Sequence, residues 1–153
     1  MRHRANTVTD ISIDDLYHKG IKGILLDLDN TIIAWNEHSI SSAIHQWIGQ
    51  GKEKGIAFCL LSNSYTSRAK RIANELNIHV IAPAFKPLPF GYRRAMRFLA
   101  TNASNTVMIG DQLFTDMLGA RFLKINTIYV TPLSTTEFCL TRISRYLERF
   151  VWK

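Results

Sequence analysis

The stretch Gly23-Ile24-Leu25-Leu26-Asp27-Leu28-Asp29-Asn30-Thr31 begins apolar and ends acidic. A short continuous apolar run bounded by turn residues is the pattern of a strand buried on both faces. A strand over 23–28 brings Asp27 and Asp29 to its carboxyl end. In open α/β sheets that edge is where ligands bind. Two carboxylates this close repel one another when they leave water, and one pKa rises unless a cation or a shared proton intervenes. The plain alternative is a strand followed by an Asp-rich turn, since Asp and Asn favour turns.

On either side of this stretch the chain alternates. Residues 1–22 read as an N-terminal arm with a short helix that Asp10 or Ser12 could cap. Residues 39–52 read as a helix, with Ile40, Ile44, Trp47 and Ile48 on one face. Strands are expected at 56–61, 78–82, 106–109 and 126–130, with helices over 66–76, 90–101 and 115–123 between them. The tail, 135–153, reads as a final helix. Strand–helix alternation with apolar strands predicts an α/β protein with a parallel sheet covered on both faces. The expectation is one domain over 1–153: a three-layer Rossmann-like fold with five parallel strands.

Composition limits the function. The 153 residues are 46% apolar and 20% charged, ordinary values for a globular chain. The net charge of +7 is high for this length and points to an anionic partner: phosphate esters, an acidic membrane or nucleic acid. Solubility alone is the competing explanation. Cys59 and Cys139 both lie in apolar runs, which suits buried free thiols in a reducing compartment. No secretory signal and no apolar run of spanning length is visible, so a cytoplasmic protein is expected.

Other candidate residues follow the remaining strands. Ser62-Asn63-Ser64 ends the second strand, where a hydroxyl beside free N–H groups can bind phosphate; Ser and Asn are also ordinary helix caps. Lys86 follows the third strand, as a phosphate-binding point charge or a plain surface lysine. Gly110-Asp111 follows the fourth, with Asp116 five residues on. Oxygen ligands without a His–Cys cluster suit a hard ion such as Mg²⁺.

The order of these signals resembles the four motifs of the haloacid dehalogenase (HAD) superfamily of phosphohydrolases. Asp27-Leu28-Asp29-Asn30-Thr31 matches the first motif, Ser62 the second, Lys86 the third, and Gly110-Asp111 through Asp116 the fourth. The wording Leu-Asp-Leu-Asp-Asn-Thr, Phe85-Lys86-Pro87 and Gly-Asp-Gln-Leu-Phe-Thr-Asp is similar to the YqeG-type subgroup of class IIIA, itself similar to phosphatidylglycerophosphate phosphatases. The resemblance implies a Mg²⁺-dependent phosphatase with Asp27 as nucleophile and Asp29 as general acid and base. It implies Mg²⁺ on Asp27, the Asp29 carbonyl and Asp111. Ser62 and Lys86 would hold the phosphoryl group, with Asn63 a further contact. Thr31 and Asn30 would fix the turn, and Asp116 would orient Lys86 or a metal-bound water. Residues 32–39 and 63–85 are too short to hold a cap domain, so a capless, open site is expected. Such a site suits a phosphate presented on a lipid or macromolecule.

Three functions are weighed: a phosphatase for phosphatidylglycerophosphate; a capless phosphatase for a phosphoprotein, nucleotide or sugar phosphate; and a non-enzymatic RNA- or ribosome-associated module. The acid pair argues against the last, and no recognisable RNA-binding pattern is present. On a helical tail Arg142, Arg145 and Arg149 share a face opposite Leu140, Ile143 and Leu147. A basic amphipathic helix suits peripheral contact with an anionic membrane, with Arg93, Arg94 and Arg97 adding to the field. Packing of its apolar face on the sheet is the alternative. Oligomeric state is not legible.

Overall fold

Residues 2–64 and 67–134 are described in the computed structural model of the chain. The expected tail helix, with Arg142, Arg145 and Arg149, lies outside the described residues, as does Cys139.

The apolar run at Gly23–Leu26 forms a strand, β2, buried throughout. It pairs in parallel with β3 (Ala57–Leu61) on one side and β5 (Thr106–Gly110) on the other. Beyond them lie β4 (His79–Ile81), β6 (Asn126–Val130) and β1 (Arg2–Ala5). The order is β1-β6-β5-β2-β3-β4, and all pairings are parallel. The sheet therefore has six strands, not the five expected. The extra one, Arg-His-Arg-Ala, lies in the stretch 1–22 that reads as an arm. It carries no apolar periodicity, and its strand conformation comes from pairing with β6, Arg4 opposite Tyr129 and Ala5 opposite Val130.

Side chains alternate across the sheet with the two-residue strand period. Ile24, Leu26, Phe58, Leu60, Val107 and Ile109 face one core. That core is covered by α1 (Ile13–His18), α2 (Ser42–Glu53) and α3 (Ser67–Leu76). Leu25, Cys59, Leu61 and Met108 face the other, covered by α4 (Pro89–Phe98) and α5 (Gly119–Phe122). This is the expected three-layer arrangement. Ser12 caps α1 and Ser41 caps α2 through their side-chain oxygens. Trp47 meets Phe58 edge-on at 5.6 Å and donates to the Ile11 carbonyl at 2.7 Å. Gly51 is needed beside them, because a Cβ there would lie 2.4 Å from the Phe58 ring.

The helix expected at 115–123 starts earlier. Leu113–Leu118 form a wide π-type turn in which the Met117 N–H reaches back five residues to the Gln112 carbonyl, 3.2 Å away. Such turns are frequent at functional sites. Chain progression from β2 runs outward to β4, then returns to β5 on the other flank. The direction of winding thus reverses between β2 and β5, and this switch point is where α/β sheets bind ligands.

Candidate active site

The β2 ladder ends with the Asp27 N–H donating to the Ile109 carbonyl at 3.0 Å. The chain then turns sharply. Thr31 and Ile32 donate to the Leu28 carbonyl, and Asn30 donates to Ile33 at 2.7 Å. Asn30 adopts φ 61°, a left-handed conformation that Asn tolerates better than most residues. The turn buries the Thr31 hydroxyl between two carboxylates, 3.3 Å from Asp27 Oδ2 and 3.2 Å from Asp111 Oδ1. Asp27 and Asp111 come from adjacent strands on either side of the switch point.

Lys86 enters from the loop after β4. Its Nζ donates to Asp27 Oδ1 at 2.6 Å and to Asp116 Oδ1 at 2.7 Å. Asp116 is wholly buried, and its second oxygen accepts the Gln112 N–H at 3.1 Å. Gly110 makes room: a Cβ there would sit 2.3 Å from Asp116 Oδ2. Asn63 uses both ends of its amide on the Lys86 backbone, accepting its N–H at 2.7 Å and donating to its carbonyl at 2.9 Å. Ser62 is buried at the end of β3, and its hydroxyl oxygen accepts the Ser64 N–H at 3.2 Å. Asp29 lies two residues beyond Asp27. Its carboxylate pairs with Arg68 of α3, and Arg68 also donates to the carbonyls of Ala34 and Glu37 at 2.9 and 3.0 Å.

All four sequence motifs thus meet at one edge of the sheet. A family profile described as "Mitochondrial PGP phosphatase" matches residues 3–133. The chain belongs to the PGP phosphatase family. It is 34% identical over 139 residues to the "Probable phosphatase YqeG" of Bacillus subtilis, covering 91% of this chain and 81% of that one. It is 25% identical to a chloroplastic/mitochondrial phosphatidylglycerophosphate phosphatase of Arabidopsis thaliana, covering 90% of this chain and 44% of that longer protein. Among solved structures, a cobalt-bound deoxy-D-mannose-octulosonate 8-phosphate phosphatase of Haemophilus influenzae superposes with TM-score 0.61 at 16% identity, covering 86% and 89% of the two chains. The 3-deoxy-D-manno-octulosonate 8-phosphate phosphatase of Moraxella catarrhalis, in complex with a magnesium ion, a phosphate ion and a KDO molecule, gives 0.53 at 16%, covering 90% and 92%. These likenesses fix the fold as that of the HAD superfamily, and the chain is a HAD phosphatase.

In this PGP phosphatase-family site, electrostatics follow from one ammonium among three carboxylates. Burial by itself would pull the Lys86 pKa down, but Asp116 and Asp27 outweigh it and hold the ammonium well above its ordinary range. Burial, then the charge of Asp27, pushes Asp116 up to about 7, with Lys86 opposing. Carboxylate oxygens of Asp27, Asp111 and Asp116 lie within 4.8 Å of one another. An all-oxygen, buried and electron-rich cluster fits a hard divalent cation. Asp27 and Asp111 are brought side by side by the Thr31 hydroxyl they share, while both oxygens of Asp116 accept from Lys86 and the Gln112 N–H.

Two members escaped the sequence reading. Arg68 reads as an ordinary residue of an amphipathic helix; the available signal was its place in the first turn, where the helix dipole disfavours a cation. Tyr92, wholly buried in α4, donates its hydroxyl to the Thr115 carbonyl at 2.5 Å and so braces the turn that carries Asp116.

Proposed function

We propose that this HAD phosphatase is Mg²⁺-dependent and hydrolyses a phosphomonoester through an aspartyl-phosphate, with phosphatidylglycerophosphate as its preferred substrate. The observation that carries this reading is the Asp27 carboxylate, held between the Lys86 ammonium and the Thr31 hydroxyl at the switch point.

A buried carboxylate so fixed is a positioned nucleophile. An Asp27 oxygen bonds to phosphorus while the bond to the leaving alcohol breaks, and Asp29 gives that oxygen a proton. In the second step Asp29 takes a proton from water as the water attacks phosphorus, and the Asp27–phosphorus bond breaks to release inorganic phosphate. The loose transition state needs positioned charge more than further covalent help. Lys86 supplies it, aimed by Asp116 and by the Asn63 clamp on its backbone, and the Ser62 hydroxyl donates to a second phosphoryl oxygen. Arg68 ties Asp29 to the Ala34 and Glu37 carbonyls of the loop that follows the nucleophile. Mg²⁺, held by Asp27, Asp111 and the Asp29 carbonyl, would offset repulsion between nucleophile and phosphate when bound.

The lipid substrate is supported by the family and by the likeness to the Arabidopsis enzyme. An open, capless site agrees with it: among the described residues 28–41, only an isolated bridge between Asp29 and Ile33 interrupts the loop. The chain would work as a peripheral protein, and no helix among the described residues is long and apolar enough to cross a membrane.

The test is a phosphatase screen across lipid, sugar, nucleotide and peptide phosphates, with Mg²⁺ or with chelator. Phosphatidylglycerophosphate should give the highest kcat/KM, chelator should abolish turnover, and Asp27→Asn should lower kcat by on the order of 10⁴ or more. Turnover by Asp27→Asn, with deamidation excluded, sinks the covalent route. Preference for a soluble phosphate ester sinks the lipid substrate.

A further inference from the structure

Eight large apolar side chains are exposed among the described residues, and five of them lie on the segments that leave the carboxyl ends of β4, β5 and β6. Leu88 and Phe90, two and four residues after Lys86, are 52% and 66% exposed, and Phe85 before it is 53% exposed. Leu133, 44% exposed, follows β6 and is tied to the site because its N–H donates to the Asn30 carbonyl at 3.0 Å. Phe114 precedes Thr115, whose carbonyl Tyr92 holds, so its loop and the start of α4 form one rim.

Behind this rim the charge is one-sided. Phe90, Arg93, Arg94 and Arg97 are exposed at i, i+3, i+4 and i+7 and share one face of α4, opposite buried Tyr92 and Ala95. No acidic residue occurs from Phe85 to Leu99. At a rise of about 1.5 Å per residue, Arg93 and Arg94 stand roughly 5–6 Å behind Phe90 along the helix, and Arg97 about 10 Å. The headgroup layer of one leaflet is roughly 5–7 Å deep. An apolar tip backed by cations at that distance matches an anionic bilayer, tip among the acyl chains and guanidinium groups among the phosphates.

We propose that this rim is a membrane-docking surface, with Leu88, Phe90 and Leu133 entering an anionic lipid surface and the α4 arginines binding its headgroups. Docking in this way lowers the open site directly onto the lipid phosphates. A second copy fits poorly, since a two-fold contact would set the same arginine stripe near itself. The inference rests on the lipid-phosphate reading above for its purpose, and its test does not require that substrate.

The experiment is sedimentation of the full chain with vesicles of phosphatidylcholine, alone or mixed with phosphatidylglycerol. Wild type should bind the mixed vesicles in a salt-sensitive way and the neutral ones weakly. The double variant Leu88→Ser, Phe90→Ser should lower the partition coefficient about tenfold. Arg93→Glu with Arg97→Glu should lower it about as much and flatten the salt dependence. Both should hydrolyse p-nitrophenyl phosphate within about twofold of wild type, because neither pair touches the reacting groups. The proposal is overturned if wild type ignores the mixed vesicles, if both double variants bind like wild type, or if only reversal of Arg142, Arg145 and Arg149 matters. It is equally overturned if the rim proves to hold a dimer together. Vesicle binding without hydrolysis of micellar phosphatidylglycerophosphate defeats the substrate reading alone; hydrolysis without vesicle binding defeats the docking surface alone.

Discussion

Lys86 and Lys54 make ion pairs of nearly equal length, 2.6 Å to Asp27 and 2.8 Å to Asp14. Their surroundings are opposite. The Lys86 and Asp27 side chains are 3% and 9% exposed, those of Lys54 and Asp14 38% and 65%. Both ammonium groups are shifted upward. For Lys54 the hydrogen bond it donates to Asp14 is the main cause, and burial is a minor opponent. For Lys86 burial is the largest influence and opposes the charge, and it takes two carboxylates to overcome it. Solvent, rather than distance, decides what each pair is worth. Around Lys86 every charge depends on the others; around Lys54 water can replace either partner.

The largest effect is therefore expected from Lys86→Met. The thioether chain fills similar space and leaves Asp27 and Asp116 buried with no counter-charge. Breaking a buried pair by removing one partner costs about 3–5 kcal/mol. Urea unfolding of the metal-free protein should show a loss of that order, and turnover should vanish with the phosphate-binding charge. A variant within about 1 kcal/mol of wild type would mean that the carboxylates protonate at little cost, and the contrast with Lys54 would collapse.

The two regions also differ in how readily the sequence reveals them. Strands β2, β3 and β5 are legible because nearly every residue is apolar and sealed on both faces. Asp27, Ser62, Lys86 and Asp111 are legible because each follows a strand closely, so strand order alone carries them to one edge. Edge strand β1 is not legible, since Arg2, His3 and Arg4 become a strand only through β6. Nor is Arg68, which reaches Asp29 across 39 residues of chain from a helix whose pattern already reads as complete. Asn63 reads as a phosphate contact; its amide also secures Lys86, a backbone contact across 23 residues that no spacing rule anticipates. Helix-borne and backbone-directed contacts depend on how elements pack, and residue pattern reports that only indirectly.

A smaller effect should come from pH. Asp116 is raised from 3.8 to about 7, so the fold favours its protonated form. Stability from that proton is complete below about 3.8 and is lost as pH rises through about 7. Lys86, shifted upward from 10.5, stays charged across this window, and Asp14, shifted downward from 3.8, is already ionised. Metal-free wild type should thus become easier to unfold in urea from pH 5 to pH 8, and Asp116→Asn much less so. Equal slopes in the two proteins would show that Asp116 does not titrate there. Mg²⁺ should reduce the wild-type slope, because a cation among the carboxylates replaces the proton.

The smallest effect is expected from Lys54→Met, and it sets the floor of the comparison. Lys54 lies at the end of α2, with Asp14 in the first turn of α1 and its ammonium 5.3 Å from the Tyr17 ring centre. Asp14 keeps a favourable place without it, since a carboxylate in a first turn is stabilised by the helix dipole. Water solvates whichever charge is left, and salt already screens the pair. Methionine keeps most of the aliphatic stem that lies along the helix end. Thermal unfolding of Lys54→Met should fall within the scatter of wild-type replicates, at low and at high salt, and phosphatase turnover should be unchanged. A clear loss of stability at low salt that disappears at high salt would show that this exposed pair does contribute. Exposure would then be a poor guide to the worth of the chain's ion pairs, and the large effect expected at Lys86 would need a cause other than its burial.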